Sequence, residues 1–245
     1  YDPAGLAEVR VVRGGGSAAT GPGALAGTIS MTSRLDQGIA AAAEAGSRES
    51  LEGRFYAGVP LASGTLGLSA RGARGDGFVP LTEETRGPAD RAAPYKEASL
   101  RGLWVAPLSG DVDLQIGGLG FADRRERALA FTGNSTDGAD ASVRLVGRGT
   151  WQWSALAYGQ WRELTSSFAS TDDDRTTATR VAFQDSVPSS ALGGSVEVRP
   201  PVGRGVELRL GADARGTDGE SRELFFFTAG EPPTPIEADT GIQRD

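Results

Sequence analysis

The sequence contains neither cysteine nor histidine. Without cysteine there is no disulfide framework, no thiolate metal site and no cysteine nucleophile. Without histidine the commonest general base, the commonest transition-metal ligand and any Ser–His–Asp triad are missing too. No cofactor, metal or catalytic residue is expected, and the chain is not read as an enzyme. Basic runs are absent as well. The 25 Lys and Arg are outnumbered by 32 Asp and Glu, for a net charge of −7, whereas a nucleic-acid partner would require clustered cations. No apolar run approaches the roughly 18–20 residues of a spanning helix; GIAAAA, residues 38–43, comes nearest. The chain opens at Tyr1 with no signal-peptide pattern and closes on DTGIQRD after the proline-rich EPPTPIE. Both ends are expected to be cuts through a longer protein.

Glycine, by contrast, is abundant, with 36 residues, about twice the usual share. GPGALA, residues 21–26, meets the loose G-x-G-x-x-A pattern of dinucleotide-binding folds. That chemistry needs a strand before the first glycine and a helix opening at the third. Here SAAT precedes and the β-type run TISMTSR follows, so no helix N-terminus can face a phosphate. No Gly-Lys-Ser/Thr follows, which excludes a P-loop. The glycines are read instead as a packing device for a closely threaded loop.

Most of the remaining chain alternates with period two. In DVDLQIGG, Val112, Leu114 and Ile116 oppose Asp111, Asp113 and Gln115; in VELRLGAD, Val206, Leu208, Leu210 and Ala212 oppose Glu207, Arg209 and Asp213. ASVRLVGR, SVEVR, TLGLSAR and TWQWSALAYGQWRE behave alike. Such strands carry one apolar and one polar face, and no segment shows a helical stripe. The expected fold is all-β, an antiparallel up-and-down meander of about nine strands. After Ile116 the apolar positions change parity to Leu119 and Phe121, and a β-bulge at Gly117–Gly118 is expected to restore the face.

Short turns are expected at residues 59–64, 106–111, 147–150 and 200–205, and long polar loops at about 75–94, 123–140, 163–186 and from 217 onward. Alternation of short and long along a meander sorts them to opposite ends, as in outer-membrane barrels. The aromatics agree with a barrel. Trp151, Trp153 and Trp161 share one parity. Trp151 and Trp161 lie ten residues apart, roughly 33 Å of strand, which projects to about 23 Å at a 45° tilt, close to the apolar band between aromatic girdles. Trp104 lies before another short turn, where the same girdle would pass. Among the charge clusters, STDDDRT (170–176) lacks the spacing of a calcium loop and is read as a solvated loop tip. LFFFTAG (224–230) is read first as the top of a strand, then as a girdle or ligand contact.

With a barrel following it, the opening segment becomes recognisable. VRVVRGGGSAATGPGALAGTISM resembles the end of the plug domain of TonB-dependent outer-membrane receptors, usually written I-E-V-V-R-G-P-x-S-x-L-Y-G-x-x-A-x-G-G-V-I-N-I. Val9, Val11, Val12, Arg13, Gly14, Ser17, Gly21, Ala24, Gly27 and Ile29 fall on matching positions without a gap. Arg10 stands where the family has Glu, Gly15 where it has Pro, Ala19–Thr20 for Leu-Tyr and Ser30 for Asn.

The resemblance implies residues 1–37 as the end of a plug, with handover near Arg34 to Gly38. Residues 38–245 are then the first part of a transmembrane barrel that has 22 strands in the family. It implies a plug motif of Arg10, Arg13, Gly14, Ser17, Gly21 and Gly27, and an aromatic girdle including Trp104, Trp151, Trp153 and Trp161. Arg13 would look toward wall carboxylates, for which Glu97, Asp113, Glu197 and Glu207 are candidates; the plain alternative for Arg10 and Arg13 is solvated strand charge. By the same resemblance, the protein sits in the outer membrane of a Gram-negative bacterium and binds a scarce small nutrient, such as an iron–siderophore complex, at its outer loops and plug. Its partners are the TonB complex, contacted before Tyr1, and outer-membrane lipid. Two other readings stay open: a passive porin-like or adhesin barrel, and a soluble extracellular β-sandwich binding module.

Overall fold

The computed structural model describes residues 3–14, 26–203, 205–226, 236–237 and 242–244. Among them are two antiparallel sheets and no α-helix. A 3-10 turn, Pro3–Gly5, leads into β1 (Leu6–Arg13), which pairs with β2 (Gly27–Ser33) as a separate two-stranded sheet. The larger sheet follows chain order. It comprises β3 (Gly38–Ala45), β4 (Leu51–Leu61), β5 (Gly64–Gly75), β6 (Tyr95–Ser109), β7 (Val112–Glu126), β8 (Gly133–Arg148), β9 (Gln152–Thr171) and β10 (Ala178–Arg199). Then β11 (Leu210–Glu220) and β12 (Glu223–Phe225) lie end to end along β10, one pass interrupted opposite an irregularity between Gln184 and Val187. The short β13 (Ile236–Glu237) and β14 (Ile242–Arg244) begin the next pass. Eight strands and the β11–β12 pass make the nine expected, and the sheet is part of an antiparallel barrel.

Register assigns every side chain to a face. On one side lie Phe55 and Val59 of β4, Leu100, Trp104 and Leu108 of β6, and Leu114 and Ile116 of β7. Val143, Trp161, Leu192 and Val196 continue that side across β8 to β10. Nothing among the described residues covers them: Ile39 and Leu192 are 74% exposed and Leu100 60%. The opposite side carries Glu52, Arg54, Tyr56, Ser69, Arg71, Glu97, Arg101, Asp123, Asp140, Arg144, Gln160 and Arg162. Interior apolar volume is almost absent. Among the described residues the buried apolar side chains are Tyr56 and a set of alanines. A protein surrounded by water would cover so large an apolar face; here the bulk of the hydrophobic side chains sit on the outside of the curve.

Several local expectations change. The short turns fall at residues 62–63, 110–111 and 149–151, as expected, but the stretch after β10 runs from 200 to 209. Val206 and Leu208 therefore precede β11 instead of belonging to it. The polar stretches 123–140 and 163–186 are mostly strand, leaving connections of only 127–132 and 172–177. β8, β9 and β10 are 16, 20 and 22 residues long. A strand that outruns the apolar band has water on both sides, so its sequence loses alternation and reads as loop. Among the described residues, 76–94 is the only long connection at its end of the larger sheet, and that end also holds the short turn 46–50. Length sorting of the connections is thus partial; what is displaced toward that end is the strands themselves.

The bulge at Gly117–Gly118 is absent. β7 keeps continuous register with β6 and β8 there, so Leu119 and Phe121 stay on the polar face. Phe121 has its own reason to be there: its ring lies over Gly138, and the Arg162 guanidinium stacks 5.0 Å from its centroid. An inward aromatic with a cation cap breaks the alternation without breaking the strand.

Among the described residues the larger sheet leaves β3 paired only with β4, and an open spanning sheet has unpaired backbone at its edges. The 245-residue chain refolded by itself into detergent is expected to give a heterogeneous product. A monodisperse species whose electrophoretic mobility changes on heating, as for a closed barrel, would contradict this.

Candidate functional site

Where the two sheets meet, the chain between β2 and β3 lies flat on the polar face. Two glycines make that approach possible. A Cβ on Gly58 would overlap the Asp36 carbonyl oxygen, and one on Gly67 would stand 2.9 Å from the Arg34 carbonyl oxygen, tighter than real contacts allow. Between these glycines stands Tyr56, 2% exposed and the largest fully buried side chain. Its hydroxyl donates to the Asp36 carbonyl at 2.9 Å, and the Arg34 guanidinium covers its ring at 4.1 Å. Arg34 also holds Asp36 through two hydrogen bonds of 2.6 and 2.7 Å, which keep the Asp36 carboxyl below its ordinary pKa. From β6, Arg101 donates to the Ser33 hydroxyl at 2.6 Å. The 3-10 turn closes the arrangement: the Arg34 amide donates to the Gly5 carbonyl at 2.9 Å, and Gly5 packs on Ser69.

Nearer the 76–94 connection, a belt of alternating charge crosses five strands of the same face. Arg54 bridges Glu44, at 3.9 Å, and Glu52; Arg71 joins Glu52, at 2.8 Å, to Glu97. Arg125 joins Glu97, at 3.0 Å, to Asp123, at 2.8 Å. Pairs of this kind contribute little singly in a wet setting, and more as a network. Lower on the face, a hollow of about 250 Å³ is lined by Ser33, Arg101, Gln115, Asp140 and Arg144. Another, of about 500 Å³, is lined by Gln160, Arg162, Ser189, Arg215 and Thr217. Both mix donors with carboxylates, Asp140 in the first and Asp218 and Glu220 in the second, and so offer polar contacts to a hydroxyl-rich solute.

At the edge of the sheet, three connections are tied together around one carboxylate. Asp90, with its side chain 1% exposed, accepts from Arg175 Nε at 2.8 Å and from the Gly87 amide at 2.9 Å. The Ala89 amide donates to the Arg175 carbonyl, the Ala130 amide to the Ala89 carbonyl, and the Arg91 amide to the Ala128 carbonyl. Segments 76–94, 127–132 and 172–177 therefore form one body. Arg175 holds the Asp90 pKa down to about 2, with the Gly87 amide assisting.

The motif residues are placed less completely. Arg10 and Arg13 lie on β1 opposite Ser30 and Gly27, and the Gly14 amide donates to the Ala26 carbonyl at 3.0 Å. Ser17 and Gly21 lie outside the described residues. Arg10 pairs with Glu8 on its own strand at 3.1 Å. The four candidate carboxylates are each paired within the larger sheet or its connections: Glu97 as above, Asp113 with Arg148, Glu197 with Arg199, and Glu207 with Arg209 and Arg199. Trp104 is on the apolar face with its indole donating to the Leu61 carbonyl at 3.1 Å, and Trp153 and Trp161 share that face. Trp151 sits just outside β9, in the 149–151 turn. In STDDDRT, Asp172 caps its own turn by accepting from the Thr176 and Thr177 amides. Leu224 and Phe225 form the top of the β11–β12 pass. Sequence reading missed Tyr56, Arg34 and Asp90. Their local partners, Asp36 and the Gly87 amide, do not mark them; the contacts that give them their place, Tyr56 with residues 34–36 and Asp90 with Arg175, join separate elements.

No family model and no curated protein sequence matches the chain. Solved structures do. The ferripyoverdine receptor of the outer membrane of Pseudomonas aeruginosa superposes with a TM-score of 0.73 at 14% identity, over 96% of this chain and 37% of that one. The copper transporter OprC gives 0.72 at 16%, over 99% and 38%. The ferric-catecholate import receptor Fiu from E. coli K12 gives 0.70 at 11%, over 96% and 43%. The chain thus spans about two fifths of these receptors, and it has the fold of that part of a TonB-dependent outer-membrane receptor.

Gly58→Val is expected to lift residues 34–36 off the wall, and Tyr56→Phe to weaken the same contact by about 1 kcal/mol. Faster tryptic cleavage after Arg34 in the folded full-length protein, with Gly58→Val the faster of the two, is the readout. Asp90→Asn is expected to speed hydrogen exchange at the Ala89 and Ala130 amides roughly ten- to a hundredfold, the scale of a lost charge-assisted hydrogen bond. Because the folded pKa of Asp90 is depressed, the tie holds at mildly acidic pH. It loosens only as pH falls through the unfolded value of 3.8 toward about 2.

Proposed function

We propose that residues 1–37 end a plug and residues 38–245 begin the transmembrane barrel of a TonB-dependent transporter in a Gram-negative outer membrane. It would import a scarce metal-bearing solute too large or dilute for passive pores. The observation that carries this reading is the pairing of the two faces. One side of the sheet exposes an uncovered apolar surface fit for hydrocarbon, and the other receives the chain that leaves β2 on a bed of glycine, tyrosine and arginine. A passive pore has no use for a segment docked on its inner wall.

In this reading Trp104 and Trp153, near the turns, and Trp161, toward the loops, mark the two edges of the apolar band. Trp151 belongs with the turn-side edge. The 33–36 segment anchors the plug's end to the wall, while the motif segment above it moves when TonB pulls. The arginine-lined hollows of the polar face lie along the solute's passage. Metal-bearing solutes are the class supported by the receptors that share the fold, one named for copper, one for a ferric catecholate and one for ferripyoverdine. No covalent chemistry is required.

The test is cellular uptake by the full-length protein in a strain lacking other receptors, using ferric siderophores and copper as labelled cargo. Binding that survives loss of TonB, with accumulation that does not, is the expected pair of results. Accumulation unaffected by loss of TonB would identify a passive pore.

A further inference from the structure

We infer that Arg74, Lys96 and Arg124 form a binding site for a phosphate-bearing headgroup of the outer leaflet's glycolipid; this rests on the membrane reading proposed above. The three occupy adjacent strands in direct register, Arg74 opposite Lys96 and Lys96 opposite Arg124. All three are exposed and, by alternation, point to the apolar face. Like charges directly opposite one another on a sheet repel. Arg124 is relieved by Asp137 of β8 at 2.6 Å. Arg74 and Lys96 have no ion pair among the described residues, and the nearby acids Asp76 and Glu126 form none either.

Their depth gives the row its meaning. On β6 the apolar face runs Leu108, Ala106, Trp104, Gly102, Leu100, Ala98 before reaching Lys96. On β7 it runs Val112, Leu114, Ile116, Gly118, Gly120, Ala122 before Arg124. Each run crosses ten residue steps without a charge, roughly 33 Å of strand, or about 23–27 Å along the membrane normal at barrel tilts. On β6 and β7 the cations are therefore the first charges beyond the apolar run, on the side of the 76–94 connection, at the level of lipid phosphates; on β8 and β9 the first outward charges are Asp137 and Glu163, in register with Ala122. A phosphate at the level of the cations would be met by Arg74 and Lys96, with Arg124, held by Asp137, beside them, and would cancel the repulsion between the two that lack an ion pair. Guanidinium groups bind phosphate through paired N–H donors, and a diphosphorylated sugar headgroup supplies enough charge to serve the whole row. The outward direction of the side chains selects a lipid over a free anion in the lumen.

The test is native mass spectrometry of the full-length protein in detergent, offered diphosphoryl lipid A or phosphatidylcholine. Each cation near an anionic headgroup is worth roughly fivefold in affinity, so R74Q/K96Q is expected to weaken lipid A retention at least tenfold while phosphatidylcholine adducts stay unchanged. R74K/K96R should restore it. Neither replaced residue has an ion-pair partner to lose, so the double variant is expected to keep the heat-dependent mobility of a folded barrel. Equal lipid A retention by wild type and a folded double variant would overturn the site and leave the membrane reading intact. Displacement of lipid A by inorganic phosphate alone would also overturn it, in favour of a free anion. A protein that is monodisperse without detergent and takes up neither lipid would remove the membrane reading itself, and this site with it.

Discussion

Hydrocarbon contact is the condition on which the architecture rests. The larger sheet has almost no interior of its own: most of its large apolar side chains sit on its outer face, and among the described residues Tyr56 is the only sizeable side chain fully buried. In water such a sheet would expose its hydrophobic surface and two open edges at once. In a bilayer the same face becomes the satisfied one, and the hydrogen-bonded ladder answers the requirement that no backbone group meet lipid unpaired. The sequence follows from that inversion. Within the apolar band alanine, glycine, leucine and tryptophan alternate outward, while arginine and carboxylates alternate inward.

The inner face solves a different problem, that of holding a separate segment of chain close without sealing it in. Gly58 and Gly67 remove the side chains that would keep residues 34–36 at a distance, and Tyr56, Arg34 and Arg101 then supply directional contacts. The charge belt above uses up the carboxylates of the wall on the wall's own arginines. The barrel is thereby tied across β3 to β7 by itself, and the docked chain is held by hydrogen bonds and ring stacking instead of by ion pairs to the wall.

Much of the fold could be read from the sequence, because period-two alternation reports directly on a face that lipid makes uniform. β6, β7 and the first half of β9 show it plainly, and the turns at 62–63 and 110–111 carry their own glycine and serine marks. Reading failed where the surroundings stop being one-sided. Residues 133–140 and 163–171 leave the apolar band, so both faces turn polar and strand looks like loop. Leu119 and Phe121 point inward for a local reason, the stacking of Phe121 under Arg162, which no parity rule contains. The site was legible only in its glycine-rich motif. Its contacts pair Arg34 with Tyr56, Ser33 with Arg101 and Asp90 with Arg175, residues far apart in sequence whose meeting depends on register.

The tie at Asp90 has an evolutionary side. Surface connections are usually treated as independent modules, each free to lengthen or change without the others. Here an aspartate in one hairpin is buried under an arginine from another, with a third hairpin joined to the first by main-chain bonds. Transplanting any one of these segments into a related scaffold strands a partner behind it. The smallest heritable unit of this rim is therefore the three hairpins together, and diversification should favour connections outside the trio.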